Sequence, residues 1–87
     1  MSQTEHYPIF RKYPNGASFF RIDSPRLFTE LKLTPSFFSL EQIQATIHPD
    51  RLLISDMVEM RSGYWEPSSE EEFAERLAWC EKNLKSF

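Results

Sequence analysis

The side chains best suited to acid–base chemistry in this chain are His48, Asp50 and Asp56, and the strongest nucleophile is Cys80. A histidine within reach of carboxylates can hold and pass a proton. A cysteine needs a neighbouring base or cation to act as a thiolate. Spacing sets up neither arrangement. His48-Pro49-Asp50 reads as a turn, in which proline fixes φ and aspartate accepts from local amides. Cys80 falls on the apolar stripe of a helix, where packing as a small hydrophobe explains it. A zinc site needs three or four converging ligands, and His6, His48 and Cys80 have no ligand spacing. The two glycines, Gly16 and Gly63, fit turns and leave no phosphate-cradling loop. No catalytic residue, cofactor or metal site is expected, and an enzyme built on His48 and Asp50 ranks third among the functional readings.

Binding chemistry has more to work with. The stretch Phe10-Arg11-Lys12-Tyr13, followed by Phe19-Phe20-Arg21, interleaves rings with cations. Exposed rings stack on bases and cations meet phosphates, so Arg11, Lys12, Tyr13, Phe19 and Arg21 could bind a single-stranded nucleic acid. Core packing competes for the same rings, and the chain carries a net charge of −3, which is unusual for a nucleic-acid binder. Tyr64, Trp65, Trp79 and Phe28 are candidates for a protein interface, where large aromatic side chains are enriched.

The elements that must position these residues follow from periodicity and punctuation. Ile9–Tyr13 and Ala17–Ile22 read as strands joined at Pro14-Asn15-Gly16, a hairpin closed by a glycine at positive φ. Leu27, Thr29, Leu31 and Leu33 alternate as one face of a strand, and Thr34-Pro35-Ser36 ends it. Phe37–Ile47 has no Gly or Pro. Phe38 and Leu40 point one way in it, while Ile43, Ala45 and Ile47 point the other, and a bulge near Glu41 would put both sets on one face. A short helix over Leu40–Ile47 is the alternative. Arg51–Asp56 reads as a further strand, Arg61-Ser62-Gly63 as a turn, and Tyr64-Trp65-Glu66 as a short edge strand. The clearest element is last. Ser68 and Glu71, and Ser69 and Glu72, have capping-box spacing just after Pro67. Phe73, Leu77, Cys80 and Leu84 then form one helical stripe, so the helix is placed at Ser69–Phe87.

Length and composition bound the rest. A chain of 87 residues has room for one domain and one core. Aromatic residues make up 15% of it, which supplies large buried area to a small core. Residues 1–33 carry five basic and three acidic side chains, and residues 34–87 carry five and ten. The acid gathers at Glu70, Glu71, Glu72 and Glu75, where it complements the helix dipole. A lone cysteine favours a reducing compartment. No signal peptide or membrane span is evident, so the expectation is a cytoplasmic domain without a membrane partner.

The stretches His48–Met57, Tyr64-Trp65-Glu66 and Ser69–Phe73, together with Phe10–Tyr13, Asn15-Gly16 and Phe19–Ile22, resemble a set of small uncharacterised bacterial proteins. That resemblance implies a bacterial single-domain protein and brings no active site, cofactor or partner. The letters His48-Pro49-Asp50 also mark the J-domain co-chaperones. There they join two helices, the first of them basic, whereas residues 42–47 here hold no Lys or Arg.

The expected architecture is α+β: a four- to six-stranded antiparallel meander with one C-terminal amphipathic helix on one face, as a single domain over residues 1–87 with residues 1–7 as a tail. Its core would comprise Ile9, Phe20, Ile22, Leu31, Leu33, Ile43, Ile47, Leu52, Ile54, Phe73, Leu77, Cys80 and Leu84. The leading functional expectation is a non-catalytic protein-interaction module or accessory subunit, self-associating as a homodimer. The alternative is a single-stranded nucleic-acid binder using the hairpin of residues 10–21.

Overall fold

A computed structural model describes residues 7–60 and 63–86. Its elements run β1 (Ile9–Lys12), β2 (Ser18–Ser24), β3 (Leu27–Leu33), β4 (Phe37–Gln44), α1 (His48–Glu59), β5 (Glu66–Pro67), α2 (Glu70–Asn83) and β6 (Lys85–Ser86). The fold is α+β. Strands β1 to β4 form the expected antiparallel meander. β5 adds antiparallel to β1, and β6 adds parallel to β4, giving a mixed sheet ordered β5-β1-β2-β3-β4-β6.

Local chemistry explains the turns. In the first hairpin, Gly16 has φ +75°, its N–H donates to the Tyr13 carbonyl, and the Ala17 N–H donates to Asn15 Oδ1. At the third turn the Thr34 hydroxyl accepts from the Phe37 amide at 3.0 Å and donates to the Phe37 carbonyl at 2.9 Å. β2 and β3 shift register between Ile22 and Ser24, where Asp23-Ser24-Pro25 punctuates the chain.

Two expectations fail here for one reason. Arg51–Asp56 is not a strand but the centre of α1, and the sheet carries two helices rather than one. Pro49 sits in the first turn of α1, where its missing N–H costs nothing, and Asp50 adds acid to that turn. Ile54, Met57 and Val58 are spaced three and one apart, which places them on one helical stripe facing the sheet. A helix turns Leu52 outward, so Leu52 is exposed rather than core, and Ile47, just before the helix, is exposed too. The bulge near Glu41 is also absent. β3 and β4 pair without a break from Leu27↔Gln44 to Leu33↔Phe38. The switch of apolar parity along β4 has another cause: Phe38 faces one helix, while Ile43 and the following Ala45 face the other.

The sheet therefore divides two cores. One joins Phe20, Ile22, Phe28, Ala45 and Trp65 to Ile54 and Met57 of α1. The other joins Phe10, Phe19, Leu31 and Phe38 to Phe73 and Cys80 of α2, with Leu33, Leu77 and Leu84 against it. Tyr7, read as part of a tail, packs against the α1 core. Residues 1–6, Arg61, Ser62 and Phe87 lie outside the described residues, and so do the tail reading before Tyr7, the candidate ligand His6 and the first two residues of the 61–63 turn. α2 starts as expected, with the Ser69 hydroxyl accepting from the Glu72 amide at 3.0 Å. It ends at Asn83 rather than Phe87, because Lys85 and Ser86 join the sheet.

Candidate functional site

The five hairpin residues considered for nucleic acid are engaged within the chain. Alternation along β1 sends Arg11 to the α1 face and Lys12 to the α2 face. The Arg11 guanidinium donates to the carbonyls of Met57, Val58 and Phe10, each at 2.9 Å. α1 has no basic residue in its own last turn, so Arg11 supplies both the donors and the positive charge that a helix C-terminus favours. Burial pushes the Arg11 pKa down. Phe19 is buried beneath the Arg76 guanidinium, which stands 5.8 Å from its ring centre. Arg21 lies 5.9 Å over Phe73 and pairs with Asp23 at 3.0 Å. Tyr13 meets Phe20 edge-on at 5.3 Å, and burial, with the Glu30 charge behind it, raises its phenol pKa. These side chains do not share one open face.

Lys12 pairs with Glu72 at 2.7 Å, and the Ser68 hydroxyl donates to the other Glu72 oxygen at 2.7 Å. The hydrogen bonds from Lys12 and Ser68 hold the Glu72 carboxyl below its ordinary pKa. A carboxylate with a lowered folded pKa stabilises the fold above its unfolded pKa, and that contribution is lost as pH falls through the folded one. Glu72→Gln is therefore expected to unfold at lower urea than the parent at pH 7, with the gap closing as pH falls from about 5 to about 3. A gap independent of pH would show that the charge is not what Lys12 and Ser68 hold. The pair is partly exposed, so its effect is small.

The acid–base candidates do not converge. His48 is exposed at the start of α1, Asp50 follows it, and Asp56 lies two turns along. Cavities of about 390 Å³ (between α1 and the β2–β3 turn) and about 540 Å³ (beside β4) are lined by other residues. Among the described residues no three His, Cys, Asp or Glu side chains gather as a metal site. Cys80 is fully buried, and that burial raises its thiol pKa. No described helix is long and apolar enough to cross a membrane.

The four interface candidates separate. Tyr64 and Trp79 are exposed, at 66% and 46%, with Arg76 lying 5.4 Å over the Trp79 ring. Phe28 and Trp65 are buried in the α1 core and present no contact surface. α1 covers the sheet face that carries Phe28, and Trp65, expected in a short edge strand, packs into the same core. The Trp65 Nε1 is buried without a hydrogen-bond partner.

The open feature of the molecule is a backbone edge. Among the described residues β4 pairs outward only with β6, and only at Phe37 and Phe38. The Thr34 amide donates to Phe37, and the Ala45 amide donates to Arg26. Residues of odd number in β4 thus bond to β3, and antiparallel alternation turns the amides and carbonyls of Leu40, Gln42 and Gln44 outward. The Lys85 amide, donating to the Ser36 carbonyl on that same outer side, fits the alternation. The usual guards of an edge are a proline, a bulge or several charges. β4 has no proline, no bulge and one charged residue, Glu41. At the opposite edge β5 is two residues long and includes Pro67. Leu40 and Phe37 stand exposed beside the open edge. Sequence reading missed Leu40, Gln42 and Gln44 as edge residues, although the run Phe37–Gln44, without Gly or Pro and nearly uncharged, is their signal. Compared with protein-family models, with curated proteins and with solved structures, the chain matches none.

Proposed function

We propose that this protein is a non-catalytic interaction module that takes up an extended strand along the outer edge of β4. The observation that supports it is the row of outward backbone groups at Leu40, Gln42 and Gln44, which no strand pairs among the described residues. Such groups recognise a strand through main-chain hydrogen bonds, and exposed neighbouring side chains add selectivity. Here those neighbours are Leu40 and Phe37, beside the cavity lined also by Lys32 and Glu41.

The test is amide hydrogen exchange by NMR, with an excess of a synthetic peptide of the Phe37–Gln44 sequence flanked by lysines. The amides of Leu40, Gln42 and Gln44 are expected to become as protected as the ladder amides of Ser39 and Ile43. Gln42→Pro removes one outward donor and leaves the bonds to β3 intact. It is expected to keep the parent far-UV spectrum and to weaken peptide binding about tenfold or more. Fast exchange at all three amides with peptide in excess would overturn the reading.

A further inference from the structure

The cavity of about 390 Å³ between α1 and the β2–β3 turn is both greasy and basic, and its walls are made of described residues. Ile54 and Val58 of α1, Pro25 of the turn and Tyr7 supply apolar surface. Arg26 from the turn and Arg51 from α1 add two guanidinium groups. The volume falls at the lower end of the range for small-molecule sites.

The other described arginines are engaged within the chain. Arg11 donates to the carbonyls of Met57, Val58 and Phe10, Arg21 pairs with Asp23, and Arg76 lies over the rings of Phe19 and Trp79. The side chains of Arg26 and Arg51 have no hydrogen-bond, ionic or ring partner among the described residues, and they reach one cavity from separate elements. The turn is fixed there. The Arg26 amide donates to the Ser24 hydroxyl at 3.1 Å, and its carbonyl accepts from the Ala45 amide at 2.7 Å. Ala45 lies just before α1, so Arg26 stands beside the start of the helix, the same end as Arg51. Helix stability does not ask for Arg51 there, because the positive end of a helix favours acid. Two unpaired cations at one cavity repel each other, and an anion between them reverses that.

Glu59 also lines the cavity, about 12 Å further along the axis of α1 than Arg51. The arginine end is thus the positive one, and an apolar stretch of helix separates it from the acid. A guanidinium fork matches the two oxygens of a carboxylate, and two forks from different elements hold it in one orientation. We infer that this cavity binds a small organic acid, its carboxylate held between Arg26 and Arg51 and its hydrocarbon body laid against Ile54, Val58 and Pro25. The site shares no residue with β4 and does not depend on strand addition there.

The experiment is a titration of the full chain followed through its amide NMR shifts, with heptanoate, 1-heptanol and inorganic phosphate as probes. Heptanoate at millimolar concentration is expected to shift the amides of Arg26, Arg51 and Val58 saturably. 1-Heptanol has the body without the charge and phosphate the charge without the body, so each is expected to bind about tenfold or more weakly than heptanoate. Arg26→Gln and Arg51→Gln are each expected to weaken heptanoate about tenfold while keeping the parent far-UV spectrum, since both residues are exposed. Equal binding of heptanoate and 1-heptanol, or heptanoate binding that neither substitution changes, would overturn the role of the arginines. Phosphate bound as tightly as heptanoate would overturn the organic acid as the ligand. No saturable shift at these amides with any probe would end the site.

Discussion

Phe28→Ala is expected to destabilise the fold by about 3–5 kcal/mol, the usual cost of emptying a buried phenylalanine site. Phe28 is 3% exposed and lies in the middle of the α1 core. It stands across from Ile22 on β2 and Ile43 on β4, and its ring tilts against Phe20 at 6.3 Å. Above it α1 brings Ile54 and Met57. The strand positions on either side of it are held in register, which limits how far the site can collapse. A domain of this length has roughly 4–13 kcal/mol of total stability, so the variant would be near its unfolding threshold. Urea unfolding followed by circular dichroism measures this directly. A loss below about 1 kcal/mol would return Phe28 to the class of surface residues.

Phe73→Ala is expected to cost a similar amount, about 3–5 kcal/mol, from the other side of the sheet. Phe73 is the first apolar anchor of α2, meeting Phe10 edge-on at 5.8 Å with Arg21 above its ring. Its loss removes the ring that Arg21 covers and leaves that cation only its partly exposed pair with Asp23. The two substitutions act on cores separated by the sheet and share no partner, so their costs should add to within about 0.5 kcal/mol. The double variant should then be unfolded in water, since the sum approaches the whole stability of the domain. Strong non-additivity in a milder pair, Ile22→Val with Leu31→Val, would show that the two cores are not independent.

The residues that were legible in the sequence are those whose local chemistry decides their state. Pro14-Asn15-Gly16 dictates its turn whatever surrounds it, and Ser69 with Glu72 starts α2 through one hydrogen bond. The meander follows from such punctuation. α1 was not legible because Leu52, Leu53 and Ile54 form a short apolar run that suits either a strand or a helix. Its identity is settled at a distance, by Arg11 on β1 holding its last carbonyls and by a sheet face that needed covering. Misreading α1 carried over to the candidate site. A sheet with a single helix leaves the Phe28 face without a cover, and so Phe28 stands among the interface candidates. The parity switch along β4 was seen but attributed to a bulge, whereas a sheet covered on both faces produces it without one. Leu40, Gln42 and Gln44 were missed because an edge is defined by what does not pair with it, which a one-dimensional pattern does not display.

The two short strands that flank α2 bear on how the chain reaches this structure. β1 to β4 join through tight turns and can zip together from local contacts. β5 must find β1 at Arg11↔Pro67, and β6 must find β4 at Phe37↔Lys85. Each of these closes a loop of roughly fifty residues, an entropic cost that is met only after the intervening chain is ordered. The Ser68 amide on the Phe10 carbonyl and the Lys85 amide on Ser36 anchor α2 near opposite margins of the meander. The helix thus works as a clasp that shuts late, and until it shuts the ribbon leaves the greasy side lined by Phe10, Phe19, Leu31 and Phe38 uncovered. A newly made chain is at its stickiest in that interval, and its margin for safe assembly rests on how quickly α2 and β6 lock.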